Sequence, residues 1–119
     1  LGNIYYRKDR NLKPITKLNS IPINKKMGWC NDVKSKKYNK LINIDKKIKY
    51  EKMFRKDYKY DFLILIKYNT KKTIIGKGSA IFIHLTKNYK PTAGCIALKK
   101  KDLLILLKLI NKKTKIKIT

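Results

Sequence analysis

Tyr60-Asp61-Phe62-Leu63-Ile64-Leu65-Ile66-Lys67-Tyr68 and, after a turn, Ser79-Ala80-Ile81-Phe82-Ile83-His84-Leu85 decide the fold class. The first run is apolar at consecutive positions and rich in β-formers, the pattern of a central strand covered on both faces. In the second, Ala80, Phe82 and His84 share one face. Ile81, Ile83 and Leu85 share the other, because successive strand side chains alternate. Asn69 to Lys72 supplies a turn between the runs. Downstream, Leu103, Leu104, Leu107 and Ile110 recur at helical spacing within Lys101 to Asn111. The expectation is a mainly β domain with one conspicuous helix.

Working outward, Gly2 to Arg7 reads as a short strand. Asn11 to Met27 carries Pro14 and Pro22 and is expected to be mostly loop, with an extended piece at Ile21 to Ile23. Gly28-Trp29-Cys30-Asn31-Asp32 stands as an island in polar loop that runs on to Lys40. Leu41 to Ile44 reads as a short strand, Tyr50 to Lys56 as a helical turn, and Lys87 to Gly94 as a loop around Pro91. Thr114 to Thr119 alternates lysine or threonine with isoleucine, as a strand with one buried face does. Leu1 to Tyr6 already resembles the middle of a strand. Residues 1–119 are therefore expected to form one domain, truncated at the N-terminus, as a fragment or processed product.

The formal charge is +25, from 32 basic and 7 acidic residues. Such a field favours polyanions: nucleic acid, anionic lipid or acidic wall polymer. Yet 29 of the 32 basic residues are lysine, and only Arg7, Arg10 and Arg55 carry the planar fork suited to phosphate and guanine. Lysine, isoleucine, asparagine and tyrosine all have A/T-rich codons, so a solvated lysine surface set by genome composition is the plainer reading. Nucleic acid is not the expected partner. The apolar runs Phe62 to Ile66 and Leu103 to Leu107 fall far short of the roughly 20 residues a membrane-spanning helix needs. No export signal is seen within these residues.

His84 is the sole histidine, and Cys95 follows it after a short loop in Pro91-Thr92-Ala93-Gly94-Cys95-Ile96-Ala97-Leu98. A thiol with a pKa near ~8.5 is mostly protonated at neutral pH, and an imidazole beside it can take the proton. Gly94 allows close backbone approach to a substrate, and amides around Gly94 and Cys95 could hold an oxyanion. The residues alone leave a second reading open: a hydrogen-bonded core histidine and a buried cysteine. Cys30 has no candidate base near it, though a Cys30–Cys95 disulfide is not excluded by separation in sequence. Two cysteines and one histidine cannot supply four zinc ligands without carboxylates, and metal-ligand spacing is absent, so a structural zinc site is not expected. Trp29 reads as an aromatic anchor or a stacking surface for substrate. Asp32 and Asn39 read as loop-capping residues. Tyr58, Tyr60 and Tyr68 could stack on bases, but strand propensity explains them as well.

The segment from Gly78 to Leu107 resembles the catalytic core of the L,D-transpeptidase (YkuD-type) domains. The resemblance rests on Gly78-Ser79-Ala80-Ile81-Phe82-Ile83-His84, on Pro91 to Leu98 and on Lys101-Asp102-Leu103-Leu104. It extends upstream to Gly28-Trp29-Cys30-Asn31-Asp32, Tyr38-Asn39 and Tyr6-Arg7-Lys8-Asp9-Arg10, and so spans most of the chain. It implies a β-sandwich or mixed sheet, mainly antiparallel, with a helix after the catalytic cysteine. It also implies Cys95 as nucleophile and His84 as general base, with Thr92 and Gly94 in the Ser/Thr and Gly places of the family's Ser/Thr-His-Gly-Cys signature. Ala93 stands where the wider family has histidine, Ala97 where it has arginine, and the loop from His84 to Cys95 is shorter. Peptidoglycan stem peptides are the implied substrate, the cell envelope or periplasm the implied location, and no metal or organic cofactor is required. A monomer is assumed. A hydrolase of the L,D-carboxypeptidase type and a catalytically idle wall-binding relative are the alternatives inside the family; a basic nucleic-acid-binding protein is the alternative outside it.

Overall fold

The apolar runs become the middle of a sheet covered on both sides. The structure, a computed structural model, describes residues 1–87 and 95–117. These contain β1 (Ile4–Tyr6), β2 (Ser20–Pro22), β3 (Met27–Cys30), β4 (Leu41–Asn43), β5 (Tyr50–Lys52), β6 (Phe62–Leu65), β7 (Phe82–Leu85), β8 (Ile96–Leu98) and α1 (Lys100–Leu109). A five-stranded sheet has the order β2-β1-β6-β7-β8, and a three-stranded sheet the order β4-β3-β5.

Strict alternation divides the large sheet's side chains between two cores. Ile4, Tyr6, Phe62, Ile64, Ile83 and Leu85 face α1, where they meet Leu103, Leu107 and Ile110. Tyr5, Leu63 and Phe82 face the small sheet, where they meet Met27, Trp29 and Met53. The order is helix, sheet, sheet. Leu103 and Leu107 are wholly buried, each contributing about 1.5–3 kcal/mol of apolar transfer. Asp102 in the first turn of α1 and Lys108 in the last oppose the ends of the helix dipole. The helix stops at Ile110, whose backbone turns extended while its N–H still bonds the Leu106 carbonyl.

Several expectations need correction. Gly28 to Asp32 is no loop island: Met27–Cys30 is the central strand of the small sheet, paired with β4 and β5. Gly28 sits in it because a Cβ there would meet the Tyr50 ring at 3.0 Å. Tyr50 to Lys56 is not a helical turn, since its first three residues form β5 against β3. Thr114 to 117 is not a strand; Ile116 packs singly against the helix-side core, and 118–119 lie outside the described residues. The large sheet is mixed, with β1–β2 and β7–β8 parallel. Strand β8, not foreseen as a strand, places the segment after Cys95 directly beside His84. Most of the expected loop at Lys87 to Gly94 falls on 88–94, outside the described residues.

Candidate active site

Strand β7 puts His84 on the face that looks toward the small sheet, the same face as Phe82. The parallel register pairs Ile83 with Ile96, His84 with Ala97 and Leu85 with Leu98. One step back along both strands, Cys95 stands beside Phe82. Cys95 therefore shares His84's face, diagonally across neighbouring strands, and packs against the core formed by Trp29, Met53, Tyr60 and Phe82.

His84 is buried, with its ring 5.8 Å from that of Tyr60. Its Nδ1 lies 3.0 Å from the Leu85 carbonyl oxygen. A carbonyl can only accept, so Nδ1 must carry the proton. In the neutral ring this leaves the lone pair on Nε2, which fixes the basic atom of the imidazole.

Cys95 is half-buried and both cysteines are free thiols. Its Sγ donates to the Ala80 carbonyl at 3.3 Å. Burial pushes the thiol above its ordinary value; the Phe82 backbone N–H works in the opposite sense, and the Glu51 charge adds to the rise. The resting state is thus a thiol, one that needs a base before it can attack.

The carbonyl that holds the thiol belongs to a strained residue. Ala80 has φ 56°, a left-handed conformation costly for a residue with a Cβ. Asn39 holds it there. Its Oδ1 accepts from the Ala80 N–H at 3.2 Å and from Trp29 Nε1 at 2.9 Å. Its Nδ2 donates to the carbonyls of Tyr68 and Asn69. Asn39 is itself left-handed, at φ 58°. Trp29 stands edge-on to Tyr5 and Phe82. It is the anchor rather than an exposed stacking surface, the residue being only 3% exposed. Asp32 caps its loop through the N–H groups of Lys34 and Lys49. The role of Asn39 reaches beyond loop capping; the sequence signal was an asparagine in Tyr38-Asn39, a residue type that tolerates φ above zero.

A second group of charged residues lies around Tyr60 and on the facing small sheet. Arg55 stands 4.9 Å over the Tyr60 ring and forms a two-point bond with Asp57 at 3.0 and 2.6 Å. Glu51, opposite Trp29 in the small sheet, takes the Trp29 face by the pleat of the strands. That face looks at Cys95. Burial raises the Glu51 carboxyl above its usual value, against the pull of Arg55. Neither Glu51 nor Arg55 was singled out from the sequence as a site residue. Ala97, where the wider family carries arginine, sets only a methyl beside His84.

Thr92 and Gly94 lie outside the described residues. Cys30 is fully buried, and alternation along β3 points it away from the face Trp29 shares with Cys95. Tyr58 packs on the helix side of the large sheet and Tyr60 on the other, so the tyrosines do not make one platform. Among the described residues no three His, Cys, Asp or Glu side chains gather as metal ligands, and no helix is long and apolar enough to cross a membrane.

No curated protein and no solved structure matches the chain. The family model for the L,D-transpeptidase catalytic domain (YkuD) matches residues 1–118. With a mostly β structure in two sheets and a helix after Cys95, the chain belongs to the L,D-transpeptidase catalytic domain family.

Proposed function

We propose that the chain is a cysteine acyltransferase acting on peptidoglycan stem peptides, with Cys95 as nucleophile and His84 as general base. The observation that carries this reading is the tautomer and placement of His84. Its Nδ1–H is committed to the Leu85 carbonyl, leaving Nε2 as the base on the same sheet face as the Cys95 thiol.

The reaction runs in two steps. Nε2 takes the thiol proton while Sγ attacks the carbonyl that joins an L-centre to a terminal D-alanine. The C–S bond forms, the C–N bond breaks, and the proton passes from Nε2 to the leaving amine. The role of oxyanion donor falls to backbone amides around Gly94 and Cys95, and that of substrate-binding residue to Thr92, which takes the Ser/Thr place of the family signature; one such donor contributes about 2.7–4 kcal/mol. An amine from a second stem peptide then attacks the thioester, giving a cross-link and restoring the thiol. Water in place of the amine gives the trimmed stem, the carboxypeptidase outcome. No step needs a metal or organic cofactor. The cell envelope is the matching location, and Cys95 must stay reduced there.

Intact mass after incubation with a carbapenem, whose strained lactam carbonyl is an acyl donor, tests the assignment. The expected result is one adduct on wild type and on Cys30→Ala, and none on Cys95→Ala. An adduct that survives in Cys95→Ala sinks it. A folded, reduced wild type without adduct points instead to the idle wall-binding relative.

A further inference from the structure

Glu51 is the only glutamate in the chain. Other carboxylates have visible structural work. Asp9 and Asp57 pair with Arg7 and Arg55, and Asp32 and Asp45 cap loops. Among the described residues no salt bridge within 4 Å reaches Glu51, in a chain with 32 basic residues. Strand register instead turns it, with Trp29 and Met53, toward the layer in which Cys95 lies. This is an unfavourable place for a negative charge in the first half-reaction, because it opposes thiolate formation, and its charge does push the Cys95 thiol up. The second half-reaction has the opposite need. Its nucleophile is an amine that arrives protonated, as an ammonium, and must lose a proton before it can attack.

We propose that Glu51 is the acceptor-side residue of the site, which binds the ammonium of the incoming amine beside the Cys95 thioester and takes its first proton. The proposal rests on the acyl-transfer reading and adds to it the group that favours aminolysis over hydrolysis. The balance is closed. R–NH3⁺ and the Glu51 carboxylate give R–NH2 and a neutral carboxyl. The amine lone pair forms the C–N bond, and the C–S bond breaks with its electron pair on sulfur. The second amine proton passes through His84 Nε2 to the thiolate, and Glu51 releases its proton to solvent. The raised affinity of Glu51 for a proton suits it to this task better than an ordinary surface carboxylate. Arg55, whose charge acts on Glu51, would keep the neutral acid from persisting after the transfer.

The test uses a synthetic tetrapeptide donor with an L-configured third residue and a terminal D-alanine, and glycinamide as the amine acceptor. Mass spectrometry follows the acyl-enzyme, the glycinamide product and the hydrolysed tripeptide. Glu51→Gln should lower the ratio of amide to hydrolysed product at least about tenfold, the general acid–base range being 10²–10⁴. Acylation in the same variant should move to lower pH, because a charge opposing the thiolate is gone. Glu51→Asp should restore most of the ratio; a merely structural Glu51 would move neither the ratio nor the pH profile. Normal acylation with an unchanged ratio in Glu51→Gln overturns this proposal alone. Absence of acyl-enzyme in wild type overturns the acyl-transfer reading, and this proposal with it.

Discussion

His84 Nδ1 makes a hydrogen bond whose acceptor, a carbonyl, leaves no choice of tautomer. That bond makes a specific demand on kinetics. The thiol lies above its ordinary value because burial disfavours the charged form. Without a base, the reactive thiolate is scarce at neutral pH and grows as pH climbs through that raised value. His84→Ala should therefore slow carbapenem acylation at pH 7 by about 10²–10⁴-fold. The deficit should shrink steadily as pH is raised toward and through the thiol's raised value, where hydroxide supplies thiolate without help. Stopped-flow acylation from pH 6 to 10 would decide it, and a deficit constant across that range would mean that His84 does something other than remove the thiol proton. The same bond shows why the residue reading alone was undecided. A hydrogen-bonded core histidine and a general base are both buried and bonded; only the identity of the acceptor, the Leu85 carbonyl, tells which nitrogen is left basic.

At the scale of elements, the strong strands and the helix were legible because each carries enough residues for its period to show. Tyr60 to Tyr68 contains β6 between β1 and β7, and Lys101 to Asn111 contains most of α1. Of the small sheet only β4, within Leu41 to Ile44, was legible. β3 and β5 are four and three residues long, too short for alternation to stand out. β3 is interrupted by Gly28, and β5 turns its glutamate inward. The tail from Thr114 shows the converse, alternation without a partner strand. Of the candidate site, His84 and Cys95 were legible as candidates in composition and motif. Asn39 was not, because its four partners come from Trp29, the Tyr68–Asn69 turn and Ala80, segments far apart in sequence. This bridge has a measurable cost. Asn39→Ala orphans the Trp29 N–H and the Ala80 N–H and frees Ala80 from its left-handed conformation. Buried unsatisfied groups cost about 1–3 kcal/mol each, so urea denaturation should show a loss of about 2–4 kcal/mol. The folded fraction should also acylate more slowly, since the Ala80 carbonyl no longer holds the thiol. A stability loss under about 0.5 kcal/mol, the usual range for surface changes, would show that the bridge is dispensable.

The whole molecule presents a lysine field around a site that is not itself built from lysines. All three arginines are turned to internal work. Arg7 is buried over Phe54 and bonded to Asp9, Arg10 bonds the carbonyls of Arg55, Lys56 and Asp57, and Arg55 stands over Tyr60. The side chains best suited to forked phosphate contacts are thus spent on the 55–57 segment beside the site. What remains outside is a diffuse positive charge of point-like ammonium groups, which attracts polyanions without reading them. Retention on acidic wall polymer should then be strong near 50 mM salt and fall by about 10³–10⁵-fold by 200 mM if 6–10 contacts are broken. A carbapenem is a small ligand with one ring carboxylate and makes no such set of contacts, so its acylation should change far less over the same range. Sacculus pull-down and acylation rate, measured side by side across salt, separate the two. Parallel loss of both would mean that the lysines build the catalytic site itself. Retention of duplex DNA that persists at high salt would mean base contacts, a task for which no arginine fork is left outside; the acyl-transfer assignment would then rest on the cysteine adduct alone. Loss of retention with acylation intact assigns the charge to holding the enzyme on its polymer and the His84–Cys95 face to the reaction.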